Sequence, residues 1–301
     1  MTVTVLVPDE HGIEALSGIE GLRVFRHSPR LPPEAADAEV LIPDFLGGEA
    51  LNLVDRLPKL RLVQLLTTGA DAWAGRLPDH IMLSTCRGAH GGSSAEWVVG
   101  ALLTFYREFT AFDAARRVGK WTPHTTDTLQ DKRILVIGAG DLGHQLRRRF
   151  DAFDARTTLV ASRARDGVHG VDELPALLPE HDAVVLVVPL TEATTRMVDK
   201  KFLSLLPDGA IVVNAARGPV VDTDALLAEL TSGRLRAALD VTDPEPLPAD
   251  HPLWTAPNIV ITPHVAGNSA GHRARAYRVA AAEIARFAAG KAPLNLLRGA
   301  Y

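Results

Sequence analysis

Cysteine is almost missing from this sequence, since the 301 residues include only Cys86. A single cysteine excludes an intramolecular disulfide and any cysteine-rich metal site. The histidines and carboxylates show no spacing typical of metal ligands either. We therefore expect a protein that needs no metal.

Long apolar runs are also missing. None reaches the roughly 18 residues that a membrane-spanning helix requires. The opening residues, MTVTVLVPDE, lack the basic region and the long apolar stretch of a secretory signal. These features predict a cytoplasmic protein with no membrane partner.

There is no excess of positive charge. Lys and Arg number 32 against 36 Asp and Glu, a net charge of -4, whereas a general nucleic-acid binder would be basic. The basic run Arg147–Arg149 is interpreted as the solvated face of a helix. Hydrophobic residues make up 47% of the chain, which is ordinary for a globular protein. We expect a small-molecule partner and no nucleic acid.

Strand-like and helix-like segments alternate along the chain, a pattern typical of parallel sheets covered by helices. The length of 301 residues predicts two domains, because one domain usually takes roughly 100–200 residues. A first series of strands includes Thr2–Val7, Glu39–Ile42 and Leu60–Leu66. A second series begins with the apolar run Arg133–Ile137 (RILVI) and closes with Ile259–Thr262.

The predicted fold class is α/β, with two Rossmann-like, doubly wound parallel-sheet domains and a cleft between them. One domain takes residues 1–95 plus 272–301, because the last helix is expected to return to the first strands. The other takes residues 96–271. It opens on a helix predicted over Ser93–Thr110, whose SSAE start has a hydroxyl cap and an early carboxylate.

A glycine-rich run, GAGDLG, follows the strand RILVI directly. In G-x-G-x-x-G, the first glycine allows the tight turn, the second lets the backbone approach a pyrophosphate, and the third permits close helix packing. The helix N-terminus then faces the phosphates. We predict dinucleotide contacts at Gly138, Gly140, Asp141, Leu142 and Gly143. Because the Asp141 carboxylate would repel phosphate, we expect its side chain to cap the helix or face solvent.

The end of the next strand indicates which dinucleotide is bound. A preference for NAD usually places a carboxylate there, about 20 residues after the glycines. This chain instead has Ser162, Arg163 and Arg165, with no carboxylate before Asp166. Guanidinium groups match phosphate oxygens. We predict NADP as the cofactor, with NADPH preferred and NAD possible; the alternative is that these arginines are ordinary loop charges.

Three polar segments follow the last strands of the second series: Asn214–Asp222, Ala238–Leu247 and Thr262–Ser269. The carboxyl ends of parallel strands are where open α/β sheets bind ligands. A keto acid that accepts hydride develops negative charge on oxygen and needs a proton donor beside a cation. His264 and Arg217 are the residues of those types in these segments.

These segments resemble the D-isomer-specific 2-hydroxyacid dehydrogenase family. The resemblance runs from about Leu60 to Gly267 and includes motifs in the family's order and spacing: AEW, the G-x-W of Gly119–Trp121, PLTEATTRMVD at Pro189–Asp199, NAARG, ALDV-x-x-x-EP and TPHVAG. The first 60 residues match the family only in the alternation of strands and helices.

The resemblance implies a role for several residues. Arg217 would bind the substrate carboxylate and polarise the keto group, His264 would be the acid and base, and Glu245 would orient His264. Backbone N–H groups at Thr68, Gly69 and Ala70 would grip the carboxylate, which makes the first domain a flavodoxin-like substrate domain. Asp240 would face the nicotinamide amide, and further cofactor contacts would lie at Val188, Pro189, Thr195, Ala215, Ala216, Ala266 and Gly267.

Within the family, the Ser162–Arg165 segment is similar to NADP-dependent glyoxylate and hydroxypyruvate reductases, so reduction of a small 2-keto acid is the expected reaction. Glu245 argues against a formate dehydrogenase, because those enzymes have a Gln–His pair where this chain has Glu245 and His264. A phosphite-type dehydrogenase stays open, because it keeps the same three residue types. A second alternative also stays open, an NAD(P)-binding sensor or corepressor-like interaction protein, in which turnover would be absent.

The segment at about 95–127 matches the family's dimerisation arm. Its aromatic residues would form an apolar face, and the resemblance therefore implies a homodimer: Trp97, Phe105, Tyr106, Phe109 and Phe112.

Overall fold

The computed structural model describes residues 2–27, 30–45 and 48–297. The chain divides into two compact units, one comprising Met1–His90 and Ser269–Tyr301, the other Gly91–Asn268. Within the described ranges, no helix is both long and apolar enough to cross a membrane. In the same ranges, no group of His, Cys, Asp or Glu side chains is arranged to hold a metal ion.

Strands and helices alternate through both units. In chain order the strands are β1 (Val3–Val7), β2 (Leu22–Arg26), β3 (Ala38–Leu41), β4 (Leu62–Gln64), β5 (Met82–Ser84), β6 (Arg133–Ile137), β7 (Arg156–Ala161), β8 (His169–Gly170), β9 (Ala183–Leu186), β10 (Ile211–Asn214), β11 (Arg236–Leu239) and β12 (Ile259–Ile261). The helices are α1 (Glu10–Leu16), α2 (Gly91–Tyr106), α3 (Phe109–Arg117), α4 (Asp141–Asp151), α5 (Leu174–Leu177), α6 (Lys200–Ser204), α7 (Thr223–Thr231) and α8 (His272–Ala288). Short 3₁₀ turns lie at Pro33–Asp37, Gly48–Arg56, Val171–Glu173, Leu178–Glu180, Gly218–Val220 and Pro252–Thr255.

The first unit is built on a five-stranded sheet in the order β2-β1-β3-β4-β5. All four pairings are parallel. Strand β1 is buried on both faces, as is typical of strands in a parallel sheet. Its valines pack with Leu16 of α1 and Ile284 of α8, whereas Leu6 packs into the opposite layer with Trp73.

Asp9 links the two helices that cover this sheet. Its Oδ1 accepts hydrogen bonds from the Gly12 N–H at 3.0 Å, which caps α1, and from the Tyr277 hydroxyl of α8 at 2.7 Å. Its Oδ2 accepts a hydrogen bond from Arg273 at 2.5 Å. One carboxylate thus satisfies a helix end and ties α1 to α8.

The second unit is built on a seven-stranded sheet in the order β12-β11-β10-β9-β6-β7-β8. Every pairing in it is parallel. Alternate residues of β6 pack to opposite faces, Ile134 and Val136 under α2 and α4, Leu135 and Ile137 under α6 and α7. The strand order reverses between β6 and β9, which is where sheets of this type bind ligands. The predicted α/β class with two parallel sheets is confirmed.

The helix predicted over Ser93–Thr110 is wrong at both ends. Helix α2 already begins at Gly91 and ends at Tyr106, and a separate helix, α3, begins at Phe109. The break falls at Glu108, whose φ of 51° is left-handed and cannot continue a right-handed helix. Tyr106, expected on the surface of the arm, is buried in the core of its own unit.

The buried histidine His181 predicts a loss of stability in acid. Its Nδ1 donates to the Leu177 carbonyl at 2.7 Å, so the neutral ring accepts from the Thr158 hydroxyl at Nε2, 2.8 Å away. Burial lowers the pKa of His181 below the ordinary 6.5. The unfolded chain therefore binds a proton at a higher pH than the folded protein does. Stability should be fully present above pH 6.5 and decline below it.

We expect the free energy of unfolding to fall between pH 7 and pH 5 with a slope of up to about 1.4 kcal/mol per pH unit from this group. His181→Gln should reduce that slope in urea titrations. The control is His80→Gln, which changes an exposed histidine. An unchanged slope in His181→Gln would contradict the assignment.

Candidate active site

The turn between β6 and α4 can be formed only by glycines at two positions. Gly138 has a left-handed φ of 122°, and a Cβ there would lie 2.5 Å from the Val187 carbonyl oxygen. A Cβ at Gly143 would collide with the carbonyl oxygen of Gly138. These contacts are the tight turn and the close packing of helix on strand that the motif predicts.

Gly140 has the opposite environment. It caps α4 without a side-chain hydrogen bond, and a Cβ built on it would meet nothing within 4 Å. Gly140 therefore borders open space beside the N-terminus of α4, the positive end of the helix dipole. A pyrophosphate fits such a site, and a side chain at Gly140 would obstruct it.

The Asp141 side chain lies against the start of α2. A Cβ added at Gly91 would collide with the Asp141 carboxylate, so the two residues are in close contact. The carboxylate sits at the N-terminus of α2, where its negative charge is favourable. The sequence left two options, that this side chain caps the helix or that it faces solvent, and the structure instead places it against the first turn of α2.

The loop after β7 brings arginine to the glycine turn. The Arg165 guanidinium donates to the Ala139 carbonyl at 3.0 Å, so it lies directly beside the motif. Ser162, Arg163 and Arg165 are all exposed. A dinucleotide held at Gly140 would therefore meet the Arg165 guanidinium here.

Asn214 shapes the turn that carries Arg217. At the buried end of β10, its side-chain amide donates to the Arg217 carbonyl at 2.9 Å and accepts from the Ala216 N–H at 3.0 Å. The next residue, Gly218, touches the following strand end so closely that a Cβ would collide with the Thr242 carbonyl. Arg217 is thus fixed at the carboxyl edge of the sheet, half-buried.

Asp240, at the end of β11, holds the loop that follows β12. Its buried carboxylate accepts hydrogen bonds from the Thr262 hydroxyl at 2.6 Å, the Val265 N–H at 2.8 Å and the Ala266 N–H at 3.0 Å. Its backbone carbonyl accepts from the His264 N–H at 2.7 Å. Four hydrogen bonds to one residue therefore determine the path of the loop.

His264 protrudes from this loop toward Glu245. Its Nδ1 lies 2.7 Å from Glu245 Oε1, and both side chains are partly exposed. The backbone of His264 has a left-handed φ of 55°, which histidine tolerates better than most residues. Since Nδ1 is engaged by the carboxylate, Nε2 is the nitrogen through which His264 can exchange a proton.

The remaining predicted cofactor contacts follow these strand ends. Val188 and Pro189 come after β9, and the Ala215 N–H after β10 donates back to Leu186 at 3.2 Å. The Thr195 hydroxyl bonds the Thr191 carbonyl at 2.7 Å. Ala266 and Gly267 complete the His264 loop. Their positions at one edge of the sheet come from the parallel topology.

The predicted substrate segment lies in the first unit, after β4. The Thr67 hydroxyl donates to the Gly69 carbonyl at 2.8 Å and closes a small turn. Thr68 is exposed at this turn, whereas Ala70 is buried and its carbonyl accepts from the Trp73 N–H at 2.8 Å. The roles of these residues stay a prediction.

Two features of the site were missed in the sequence. Asn214 was treated as part of the NAARG motif, without a role for its side chain. The loop after β7 closes as a hairpin at Asp166–Gly167, and the Asp-Gly pair is a strong turn signal that could have predicted it.

Comparison with known proteins decides the family. The model of the family described as D-isomer specific 2-hydroxyacid dehydrogenase, NAD binding domain, matches residues 99–266. This chain belongs to the D-isomer specific 2-hydroxyacid dehydrogenase family. The expected family is confirmed, and with it an NAD(P)-binding oxidoreductase of the type that acts on small 2-hydroxy or 2-keto acids.

Three members of this dehydrogenase family illustrate the similarity. The glyoxylate reductase of Thermofilum pendens is 31% identical over 274 residues, 85% of this chain and 79% of that protein. A D-isomer specific 2-hydroxyacid dehydrogenase from Xanthobacter autotrophicus, solved in complex with NADPH and MES, is 29% identical with a TM-score of 0.83, covering 98% of both chains. The NADPH-dependent glyoxylate/hydroxypyruvate reductase of Sinorhizobium meliloti, solved with NADP and sulfate, is 25% identical with a TM-score of 0.82, covering 99% of this chain and 98% of that one.

Asp240→Asn tests the loop of this dehydrogenase. The amide keeps the size of the carboxylate but replaces one acceptor oxygen by a donor, so a buried N–H or hydroxyl loses its partner, at a cost of about 1–3 kcal/mol. We expect a lower melting temperature and weaker turnover together. Asp224→Asn, an exposed aspartate in the same unit, is the control. Wild-type stability in Asp240→Asn would refute the role given to this carboxylate.

Proposed function

We propose that this dehydrogenase is an NADPH-dependent reductase of small 2-keto acids such as glyoxylate or hydroxypyruvate. The observation that carries the proposal is the His264–Glu245 pair, with Nδ1 and Oε1 2.7 Å apart, at the sheet edge that also holds Arg217 and the glycine turn. An acid–base group and a cation at the carboxyl ends of parallel strands are what reduction of a keto group requires.

In the proposed reaction, His264 is the proton donor. Bound NADPH supplies the hydride that reduces the keto carbon. As negative charge develops on the keto oxygen, protonated His264 donates from Nε2, and Arg217 stabilises the charge electrostatically. Glu245 accepts a hydrogen bond from Nδ1–H and keeps the ring in one orientation. In the reverse direction neutral His264 removes the hydroxyl proton through Nε2.

The preference for NADPH is proposed from the loop after β7. Arg165 lies beside the glycine turn through its 3.0 Å bond to Ala139, and Ser162 and Arg163 are exposed on the same loop. A guanidinium has several donors, so Arg165 can keep this bond and still bind phosphate oxygens. The proposal keeps residues 96–271 as the dinucleotide domain, residues 1–95 with 272–301 as the substrate domain, and the N–H groups of Thr68, Gly69 and Ala70 as contacts for the substrate carboxylate.

The test of the reaction is the oxidation of NADPH and NADH, followed in parallel by absorbance, with glyoxylate, hydroxypyruvate, pyruvate and bulkier 2-keto acids. We expect turnover with the small keto acids and a higher kcat/KM for NADPH. His264→Ala should lower kcat by about 10²–10⁴-fold while cofactor binding is kept. Binding of NADPH without turnover of any keto acid would overturn the proposal and favour a sensor; reduction of NAD or NADP by phosphite would indicate the phosphite-type alternative.

The test of the cofactor preference is Arg163→Ala and Arg165→Ala. Loss of a charge-assisted hydrogen bond should weaken NADPH binding by about tenfold or more. NADH, which lacks the 2′-phosphate, should be affected much less. Titration of cofactor fluorescence measures both constants. Equal losses for the two cofactors would contradict a 2′-phosphate site on this loop.

We also propose a homodimer formed through the segment at about 95–127. Large apolar side chains are exposed there, namely Phe109 (58%), Val118 (67%) and Trp121 (93%), and a contiguous exposed apolar surface is typical of an interface. Light scattering should give about twice the chain mass of 32.3 kDa. A Phe109→Ser/Trp121→Ser double variant should shift the mass toward one chain. A wild-type mass of one chain would refute the dimer.

A further inference from the structure

The loop that carries Arg165 is a closed hairpin. The Arg165 N–H donates to the Val168 carbonyl and the Val168 N–H donates back to the Arg165 carbonyl, both at 2.9 Å. Asp166 and Gly167 form the two-residue turn, and Gly167 has a left-handed φ of 67°, a conformation that glycine adopts readily. Val168 is 7% exposed and belongs to the core under α2 and α4. One end of the hairpin is therefore anchored by packing.

The turn of the hairpin is anchored separately, by Arg147 of α4. The Arg147 Nη2 donates to the Gly167 carbonyl at 3.0 Å. From the hairpin, the Arg165 Nη2 donates to Ala139 in the glycine turn at 3.0 Å. The glycine turn leads directly into α4, so these two bonds close a ring of contacts from helix to hairpin to glycine turn.

These contacts restrain a turn that is otherwise exposed to solvent. Residues 162–167 are all exposed, and an exposed loop loses conformational entropy when a ligand orders it. A hydrogen bond from α4 to the Gly167 carbonyl would restrict the loop before a ligand binds, and so reduce the entropy lost on binding.

We propose that Arg147 is a positioning residue for cofactor selection, which holds the hairpin so that Arg165 and Arg163 are preorganised for a 2′-phosphate. The proposal rests on the NADPH preference proposed above. It assigns Arg147 an effect on NADPH through the hairpin and no contact of its own with the cofactor. Within the run Arg147–Arg149, only Arg147 has a hydrogen bond to the hairpin among the described residues; Arg148 and Arg149 bond Gln145 on their own helix.

Arg148 is a matched control for charge. Its Nη2 donates to the Gln145 side chain at 2.9 Å, and it is one residue from Arg147 on the same helix. Arg148→Ala removes the same positive charge from α4 without touching the hairpin. A general electrostatic effect on an anionic cofactor would therefore appear in both variants, whereas a positioning effect appears only in Arg147→Ala.

The experiment compares wild type, Arg147→Ala, Arg147→Lys and Arg148→Ala by isothermal titration with adenosine 2′,5′-bisphosphate and with AMP, and by amide hydrogen exchange of the segment 162–170 in the ligand-free protein. We expect Arg147→Ala to weaken the bisphosphate about threefold to tenfold, the scale of ordering a loop or side chain on binding. AMP should change by less than about twofold, since it lacks the 2′-phosphate that the hairpin would bind. Exchange should become faster, Arg147→Lys should restore part of the affinity, and Arg148→Ala should resemble wild type.

The outcomes separate the two proposals. If wild type binds the bisphosphate no better than AMP, the proposed cofactor preference is wrong and this inference falls with it. If wild type discriminates but Arg147→Ala does so equally well, with unchanged exchange, only the role of Arg147 is wrong. Equal losses in Arg147→Ala and Arg148→Ala would also overturn it, because the effect would then be one of charge.

Discussion

The buried carboxylate of Asp240 is the constraint on which the candidate active site depends. Its oxygens accept three hydrogen bonds, from Thr262, Val265 and Ala266, at 2.6–3.0 Å. A buried carboxylate is stable only when it is well hydrogen-bonded, and this one draws its partners from a single loop. The loop therefore has one path, and that path places His264 within 2.7 Å of Glu245.

The rest of the site follows from the parallel sheet. Residues far apart in sequence, such as Gly138, Arg217 and His264, come to one edge because every strand of this sheet runs in the same direction. Local hydrogen bonds then fix the residues that follow each strand. At the end of β10, the Asn214 side chain bonds the backbone of the turn that carries Arg217. Hydrogen bonds to residues on both sides of His264 fix its backbone. They allow this residue to keep a left-handed φ.

Sequence alone predicted the fold class and the glycine turn, because motif spacing and apolar periodicity are local signals; the roles given to Arg217, Glu245 and His264 stay predictions. It did not predict the end of α2 at Tyr106, since nothing in the residue types requires Glu108 to be left-handed. Nor could it place the Asp141 carboxylate, because the contact that decides its position comes from Gly91, on another helix. The bond from Arg147 to the hairpin is likewise tertiary, and the basic run looked like an ordinary solvated helix face.

In the proposed reaction, His264 gives the proton in reduction and takes it in oxidation. Glu245 orients this histidine, and Asp240 fixes its loop. The most direct test measures kcat/KM against pH in both directions, with a keto acid and NADPH and with the corresponding hydroxy acid and NADP. We predict that the rate of reduction falls and the rate of oxidation rises with pH, and that His264→Ala abolishes both transitions. Transitions that run in the same direction, or that survive in His264→Ala, would contradict this mechanism.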